Sequence, residues 1–176
     1  MEHIKSKIRT IPHFPKEGIM FRDITTLIKD ADGLKDAVDE FVKRYQGKGI
    51  DFVAGIESRG FIFGSVIAYQ LGVGFVPIRK KGKLPGEVET VTYTTEYSTD
   101  TIEIHKGALP PGANVLLVDD LIATGGSALA AAELIEKCGA KVMEVALLID
   151  LPDLGGKKKL EEKGYKVFTM IEFEGE

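Results

Sequence analysis

Asp119 and Asp120 stand just ahead of Ala123-Thr124-Gly125-Gly126-Ser127, and the four residues before them, Val115-Leu116-Leu117-Val118, are all apolar. Two carboxylates beside a glycine- and hydroxyl-rich loop suit a ligand that carries both hydroxyl donors and an anion. Carboxylates accept from ribose hydroxyls, while free backbone amides at a helix start and the Thr124 and Ser127 hydroxyls receive a phosphate. A ribose 5-phosphate group satisfies both halves. The loop lacks the Gly-Lys-Ser/Thr ending of a nucleoside-triphosphate loop and the three spaced glycines of a dinucleotide fingerprint, which disfavours ATP and NAD.

A second group of the same logic is Glu57-Ser58-Arg59-Gly60, where a polar segment again follows an apolar run. Arg59 supplies a planar fork matched to phosphate oxygens. Arg79, Lys80 and Lys83 add cations a short way along the chain. Two anion regions flanking a carboxylate pair predict a ligand with phosphates at both ends.

The elements that must hold these groups follow from hydrophobic spacing. Val115–Val118 is too short and too β-branched for a helix and reads as a strand covered on both faces. Phe52–Ile56, Phe75–Ile78, Val142–Ile149 and Tyr165–Ile171 read as strands of the same kind. Between them, Leu34–Tyr45, Gly60–Leu71, Ala128–Cys138 and Lys157–Lys163 carry helical patterns. Such alternation predicts an α/β fold with a parallel central sheet and helices on both faces, in which ligands bind beyond the carboxyl ends of the strands. Val88–Tyr97 and Thr101–His105 alternate like an exposed hairpin, within a flexible flap expected over residues 79–106. Glu2–Arg9 reads as a short opening helix and Thr10–Thr25 as irregular loop.

With 176 residues the chain is expected to form one domain, 1–176. A net charge of −4 gives no basic field for nucleic acid, and Lys157-Lys158-Lys159, followed by Glu161-Glu162, reads as a charged helix face. No apolar stretch is long enough to cross a membrane and Met1–Lys5 leads into no signal-peptide core, so a cytoplasmic protein is expected. The lone Cys138 and the scattered His3, His13 and His105 offer no set of metal ligands, so no protein metal site is expected.

Taken together, these segments resemble the type I phosphoribosyltransferases, whose signature matches Val115–Ser127. Phe14-Pro15-Lys16-Glu17-Gly18-Ile19-Met20-Phe21-Arg22-Asp23-Ile24, Glu57-Ser58-Arg59-Gly60-Phe61, Arg79–Gly86 and Glu96-Tyr97 are similar to the adenine-using branch of that family, in order along nearly the whole chain. Glu17, Met20 and Ser127 depart from the commoner family pattern without removing a needed group.

The resemblance implies transfer of a phosphoribosyl group from phosphoribosyl diphosphate to adenine, giving AMP and diphosphate. It implies that Ala123, Thr124, Gly125, Gly126 and Ser127 hold the 5-phosphate and that Asp119 and Asp120 face the ribose. Glu57, Ser58, Arg59, Arg79, Lys80, Lys83 and Tyr97 would form the diphosphate side, with Mg2+ carried by the substrate. Residues 1–30 would form a hood in which Phe21 and Leu151 sandwich the purine and the backbone of Met20 and Arg22 reads its edge. Glu96 would handle the purine proton, Arg59 would stabilise the leaving charge, and a cis peptide would stand at Glu57-Ser58. A homodimer is also implied. A transferase for xanthine, hypoxanthine or orotate, and a non-catalytic phosphoribosyl-diphosphate sensor, are the rival readings.

Overall fold

The computed structural model describes residues 1–95 and 98–175. Seven strands form the main sheet: β3 (Phe52–Ile56), β4 (Gly74–Lys80), β5 (Val88–Thr94), β6 (Thr99–His105), β7 (Asn114–Ile122), β8 (Lys141–Asp150) and β9 (Val167–Glu172). Their order is β5-β6-β4-β3-β7-β8-β9. The five strands from β4 to β9 run parallel, with β7 near the middle.

Alternation along β7 divides the core between the two faces. Val115 and Leu117 pack with Ala54, Val145 and Leu147 beneath α5 (Gly126–Lys137) and α6 (Gly156–Glu162). Leu116 and Val118 point the other way and join Val53, Phe63, Ile67, Phe41 and Leu148 beneath α3 (Ala31–Tyr45) and α4 (Arg59–Leu71). Helices therefore cover both faces, and the period-2 geometry of a strand explains why every residue of Val115–Val118 had to be apolar.

The sheet differs from the all-parallel expectation at one edge. β6 pairs antiparallel with β4, through Arg79 opposite Glu103 and Lys80 opposite Ile102, and β5 pairs antiparallel with β6. The hairpin is thus a continuation of the sheet rather than a free projection. Its Ile102 and Ile104 are buried, and the Glu103 carboxylate accepts from the Gly82 amide at 2.7 Å.

The N-terminal segment also departs from expectation. The opening helix, α1 (Glu2–Lys5), ends four residues early, and the expected loop Thr10–Thr25 contains the antiparallel pair β1 (Arg9–Pro12) and β2 (Met20–Asp23). Each strand has only four residues, and Pro12 stands inside the first, which leaves too little alternation for a strand to be read. A buried Asp23 anchors the hairpin: it pairs with Arg9 at 2.6 Å and accepts from the Thr25 amide and hydroxyl as the chain enters α2 (Thr25–Ile28).

Candidate active site

The C-terminal ends of β3, β4 and β7 open onto one cavity of about 410 Å³. Its wall brings together Glu57, Ser58, Arg59, Lys80, Asp119, Asp120, Ala123, Thr124, Gly125, Gly126 and Ser127. β7 runs four residues further than its apolar core, so both aspartates are strand residues on a fixed backbone rather than loop residues beyond its end. Asp119 Oδ1 accepts from the Asp120 amide at 2.8 Å, and its carboxyl stays close enough to that of Asp120 to interact with it.

Beyond Ile122 the chain enters α5 through Gly125, whose φ of +86° is a left-handed conformation that suits glycine. No side chain caps α5. The amides of its first turn are left for an external acceptor, as at known anion-binding helix starts. Thr124 and Ser127 are exposed at this mouth.

Arg59 on the opposite wall, with Arg79 and Lys83 beside it, is already engaged with a carboxylate. Arg59 donates from Nε to Asp120 Oδ2 at 2.5 Å, and the charge of the buried Asp120 is the main cause that raises the guanidinium further above its ordinary value, with Asp119 and Asp23 contributing. Glu57 accepts from Lys83 Nζ and from the Lys80 amide, both at 2.6 Å, and lies 3.3 Å from Arg79 Nε. Burial pushes the Glu57 carboxyl up, but Lys83, the Lys80 amide and Arg79 outweigh it and hold the group below the usual carboxylate range. Asp119 moves the other way: loss of solvation and the neighbouring Asp120 charge raise it well above that range. Two acids of one cavity are thereby driven apart in proton affinity.

The Glu57–Ser58 peptide is cis, where the family resemblance placed one. It immediately precedes α4, whose Gly60 lies so close to β7 that an added Cβ would stand 2.9 Å from the Val118 carbonyl and 3.1 Å from Asp119 Oδ1. Absence of a side chain at Gly60 lets the arginine-bearing helix start sit directly against the aspartate pair.

The remaining sequence candidates lie around this cavity rather than in its wall. Arg79 and Lys83 reach it through Glu57. Met20, Phe21 and Arg22 lie on β2, where the Phe21 ring meets Phe14 edge to face at 5.1 Å between centroids. The Arg22 side chain donates through its terminal nitrogens to Thr10 and to the Glu174 and Gly175 carbonyls. Leu151, just past β8, is tied to β7 by its amide, which donates to the Ile122 carbonyl at 3.1 Å. Glu96 and Tyr97 lie outside the described residues.

Two neighbours of the loop escaped the sequence reading. Tyr93, on β5, lines the cavity and its hydroxyl stands 3.0 Å from Ser127 Oγ. A tyrosine in an alternating strand carries no local mark of this; only the antiparallel return of the hairpin onto the sheet brings it to the loop. Gly156, the first residue of α6, donates its amide to the Ala123 carbonyl at 3.0 Å. Two consecutive glycines, Gly155-Gly156, ahead of Lys157–Lys163 are the signal in the sequence that could have pointed to it.

Among the described residues no helix is long and apolar enough to cross a membrane. The phosphoribosyl transferase domain model matches residues 25–175. Adenine phosphoribosyltransferase of Methylobacillus flagellatus is 62% identical over 172 residues, 98% of each chain, and that of Chlorobium phaeovibrioides 59% identical over 175 residues, 98% of this chain and 99% of the relative. Adenine phosphoribosyltransferase from Thermoanaerobacter pseudethanolicus superposes with a TM-score of 0.93 at 48% identity, covering 98% of this chain and 99% of that one. The Saccharomyces cerevisiae enzyme, solved with an imino-altritol bisphosphate and adenine, gives 0.91 at 43% identity and 97% of both chains. A sheet, a cavity and a sequence that agree over nearly the full length lead to one assignment: the chain belongs to the phosphoribosyltransferase family, among the adenine phosphoribosyltransferases.

Proposed function

We propose that the protein transfers the 5-phosphoribosyl group of phosphoribosyl diphosphate to adenine, forming AMP and diphosphate in purine salvage, and that its parts act as follows. The observation that carries the reading is the single cavity in which Asp119-Asp120 and the Ala123–Ser127 loop face Arg59 and Lys80. The uncapped start of α5 and the Thr124 and Ser127 hydroxyls receive the 5-phosphate, and the aspartates accept from the ribose hydroxyls. Arg59 and Lys83 exchange Asp120 and Glu57 for diphosphate oxygens as the substrate enters, with Lys80, Arg79, Ser58 and Tyr97 completing that side.

Adenine lies between Phe21 and Leu151. Pro12 stands opposite Met20 in the hairpin register and has no N–H to offer, which leaves the Met20 carbonyl free of that rung. Backbone groups of Met20 and Arg22 then read the purine edge. Hypoxanthine exchanges a donor for an acceptor there and leaves buried groups unpaired, a mismatch that costs a site far more than a missing methyl group does.

N9 of adenine attacks the anomeric carbon with inversion while the carbon–oxygen bond to diphosphate breaks, its electron pair leaving with the diphosphate. The N9 proton passes to Glu96. Positioning and charge stabilisation by Arg59 and the lysines supply the catalysis, and no covalent intermediate on the protein is formed. The donor set fits a magnesium ion carried in with the substrate: Asp119 and Asp120 present carboxylate oxygens on the cavity wall and would hold it from the ribose side. When bound, the ion neutralises diphosphate charge. The protein acts in the cytoplasm as a homodimer, and Val66 and Tyr69 on α4 are among the exposed apolar side chains such an interface could cover.

The test is nucleotide formation by the purified protein with phosphoribosyl diphosphate and magnesium, using adenine, hypoxanthine, guanine, xanthine and orotate separately. AMP from adenine alone is expected. Turnover of another base instead would overturn the roles of Met20, Phe21 and Arg22, and binding without turnover of any base would favour a sensor.

A further inference from the structure

The loop over the α5 start does not stand alone. From Leu151 to Gly156 the chain runs along its underside, held by two backbone hydrogen bonds: Leu151 N–H to the Ile122 carbonyl at 3.1 Å and Gly156 N–H to the Ala123 carbonyl at 3.0 Å. At the second of these the two backbones meet with no side chain between them. A Cβ on Gly156 would stand 2.5 Å from the Ala123 carbonyl oxygen, 2.7 Å from the Gly125 amide nitrogen and 2.8 Å from Ile122 Cγ1. From the other side, a Cβ on Gly125 would stand 3.0 Å from Gly156 Cα and 3.0 Å from its carbonyl oxygen, with Leu160 Cδ1 at 3.1 Å. The close neighbours of Gly156 are mostly backbone atoms, which cannot swing aside as a flexible side chain could. Gly155, one residue earlier, has a φ of +73° and nothing within 4 Å of its Cβ position.

We infer that Gly156 is a positioning residue for the phosphoribosyl substrate: its bare Cα is the floor on which the Ala123–Gly125 backbone rests, and it sets where the loop's amides stand relative to the incoming 5-phosphate. A methyl group there must open the Ala123 contact from 2.5 Å toward the 3.4 Å of ordinary van der Waals contact, and the Gly125 amide moves with it. Displacement of a substrate-holding group by about 1 Å costs on the order of 10²-fold. The same segment begins at Leu151, so the floor of the phosphate loop and the proposed wall of the base site are one continuous piece of chain. The inference rests on the reading that this loop holds the 5-phosphate.

The experiment compares Gly156→Ala with Gly155→Ala. Both place a methyl group in one turn, but only the first pushes on the loop. Gly156→Ala is expected to raise the KM for phosphoribosyl diphosphate and the Kd for ribose 5-phosphate by roughly tenfold or more. The Kd for inorganic diphosphate should stay within about twofold, because that anion meets the Arg59 and Lys83 side. Gly155→Ala is expected to lower Tm, through the strain of a left-handed alanine, and to leave both phosphoribosyl constants unchanged. Equal KM values in the two variants, or a Gly156→Ala protein that loses only Tm, would overturn the inference. If Gly156→Ala does not fold, Leu160→Val decides: it withdraws carbon beneath Gly125 without adding any, and a KM for phosphoribosyl diphosphate unchanged from wild type would be fatal. Ser127→Ala separates the two readings. A normal ribose 5-phosphate Kd in Ser127→Ala and Thr124→Ala would remove the 5-phosphate assignment itself, whereas losses there with none in Gly156→Ala would remove only the role of Gly156.

Discussion

The phosphate end and the base end of the site are built in opposite ways. Ala123–Ser127 grows out of β7, whose Val115–Val118 core is fully buried between two layers of helices, and its floor is backbone against backbone. Met20–Arg22 sits in a two-stranded hairpin outside the main sheet, held by the Arg9–Asp23 pair and by Arg22 contacts to the C-terminal carbonyls. Phe14 and Ile19 at its tip are half exposed or nearly so. A rigid centre suits the phosphoribosyl group, which is common to every base such an enzyme could use. A peripheral piece that can be re-cut without disturbing the core suits the choice of base.

If this division holds, damage at the two ends should appear in different constants. Arg59→Gln removes a charge-assisted donor from the central side and should lower kcat/KM by about 10²–10³-fold, the range found for loss of one transition-state-stabilising donor. Steady-state rates with each substrate varied would measure it, and a loss confined to the adenine KM would break the comparison. Phe21→Ala should act at the other end alone. Loss of a stacking ring is expected to raise the KM for adenine by about tenfold, near 1.4 kcal/mol, with the KM for phosphoribosyl diphosphate within about twofold.

A third prediction sharpens the picture of the centre through pH. Asp119 holds its proton more tightly in the folded chain than in the unfolded one. Its contribution to stability is therefore complete below the ordinary aspartate range near about 3.9 and is lost as pH rises through the raised folded value. Asp119→Asn, uncharged throughout, should melt higher than wild type at pH 7 while turning over more slowly, and the Tm difference should shrink on acidification. Glu57 has the opposite sign. Its depressed value gives stability that is present above the usual glutamate range and lost as pH falls through the folded value, so Glu57→Gln should flatten the acid limb of the Tm profile. The smallest effect is expected at the hairpin's anchor. Arg9 is mostly exposed, and Arg9→Ala should raise the adenine KM only about twofold, read from the same rate curves.

How much of this was legible in the chain depended on whether a signal was local. β7, the loop and α5 are consecutive in sequence, so period, glycine chemistry and polarity all pointed one way, and both core faces could be read from four residues. The hairpin of β1 and β2 is not legible because each strand has only four residues, Pro12 stands in the first, and the turn between them carries Pro15 and Gly18. The pairing of Arg59 with Asp120 joins residues 61 apart, and that of Glu57 with Lys83 residues 26 apart. Composition announced those charges as free anion ligands, whereas the fold neutralises them against each other until a substrate competes. Tyr93 was illegible for the same reason, and the Gly155-Gly156 pair marked a special place without saying what it touches, since each acquires its role only where separate elements meet.

The most direct test of the division is backbone amide exchange measured with ribose 5-phosphate and with AMP. Ribose 5-phosphate should slow exchange over residues 123–129 and leave 12–24 unchanged, while AMP should slow both and add protection at Leu151. AMP that protects the loop but not residues 12–24 would contradict the account, because the base would then be held somewhere other than the hairpin.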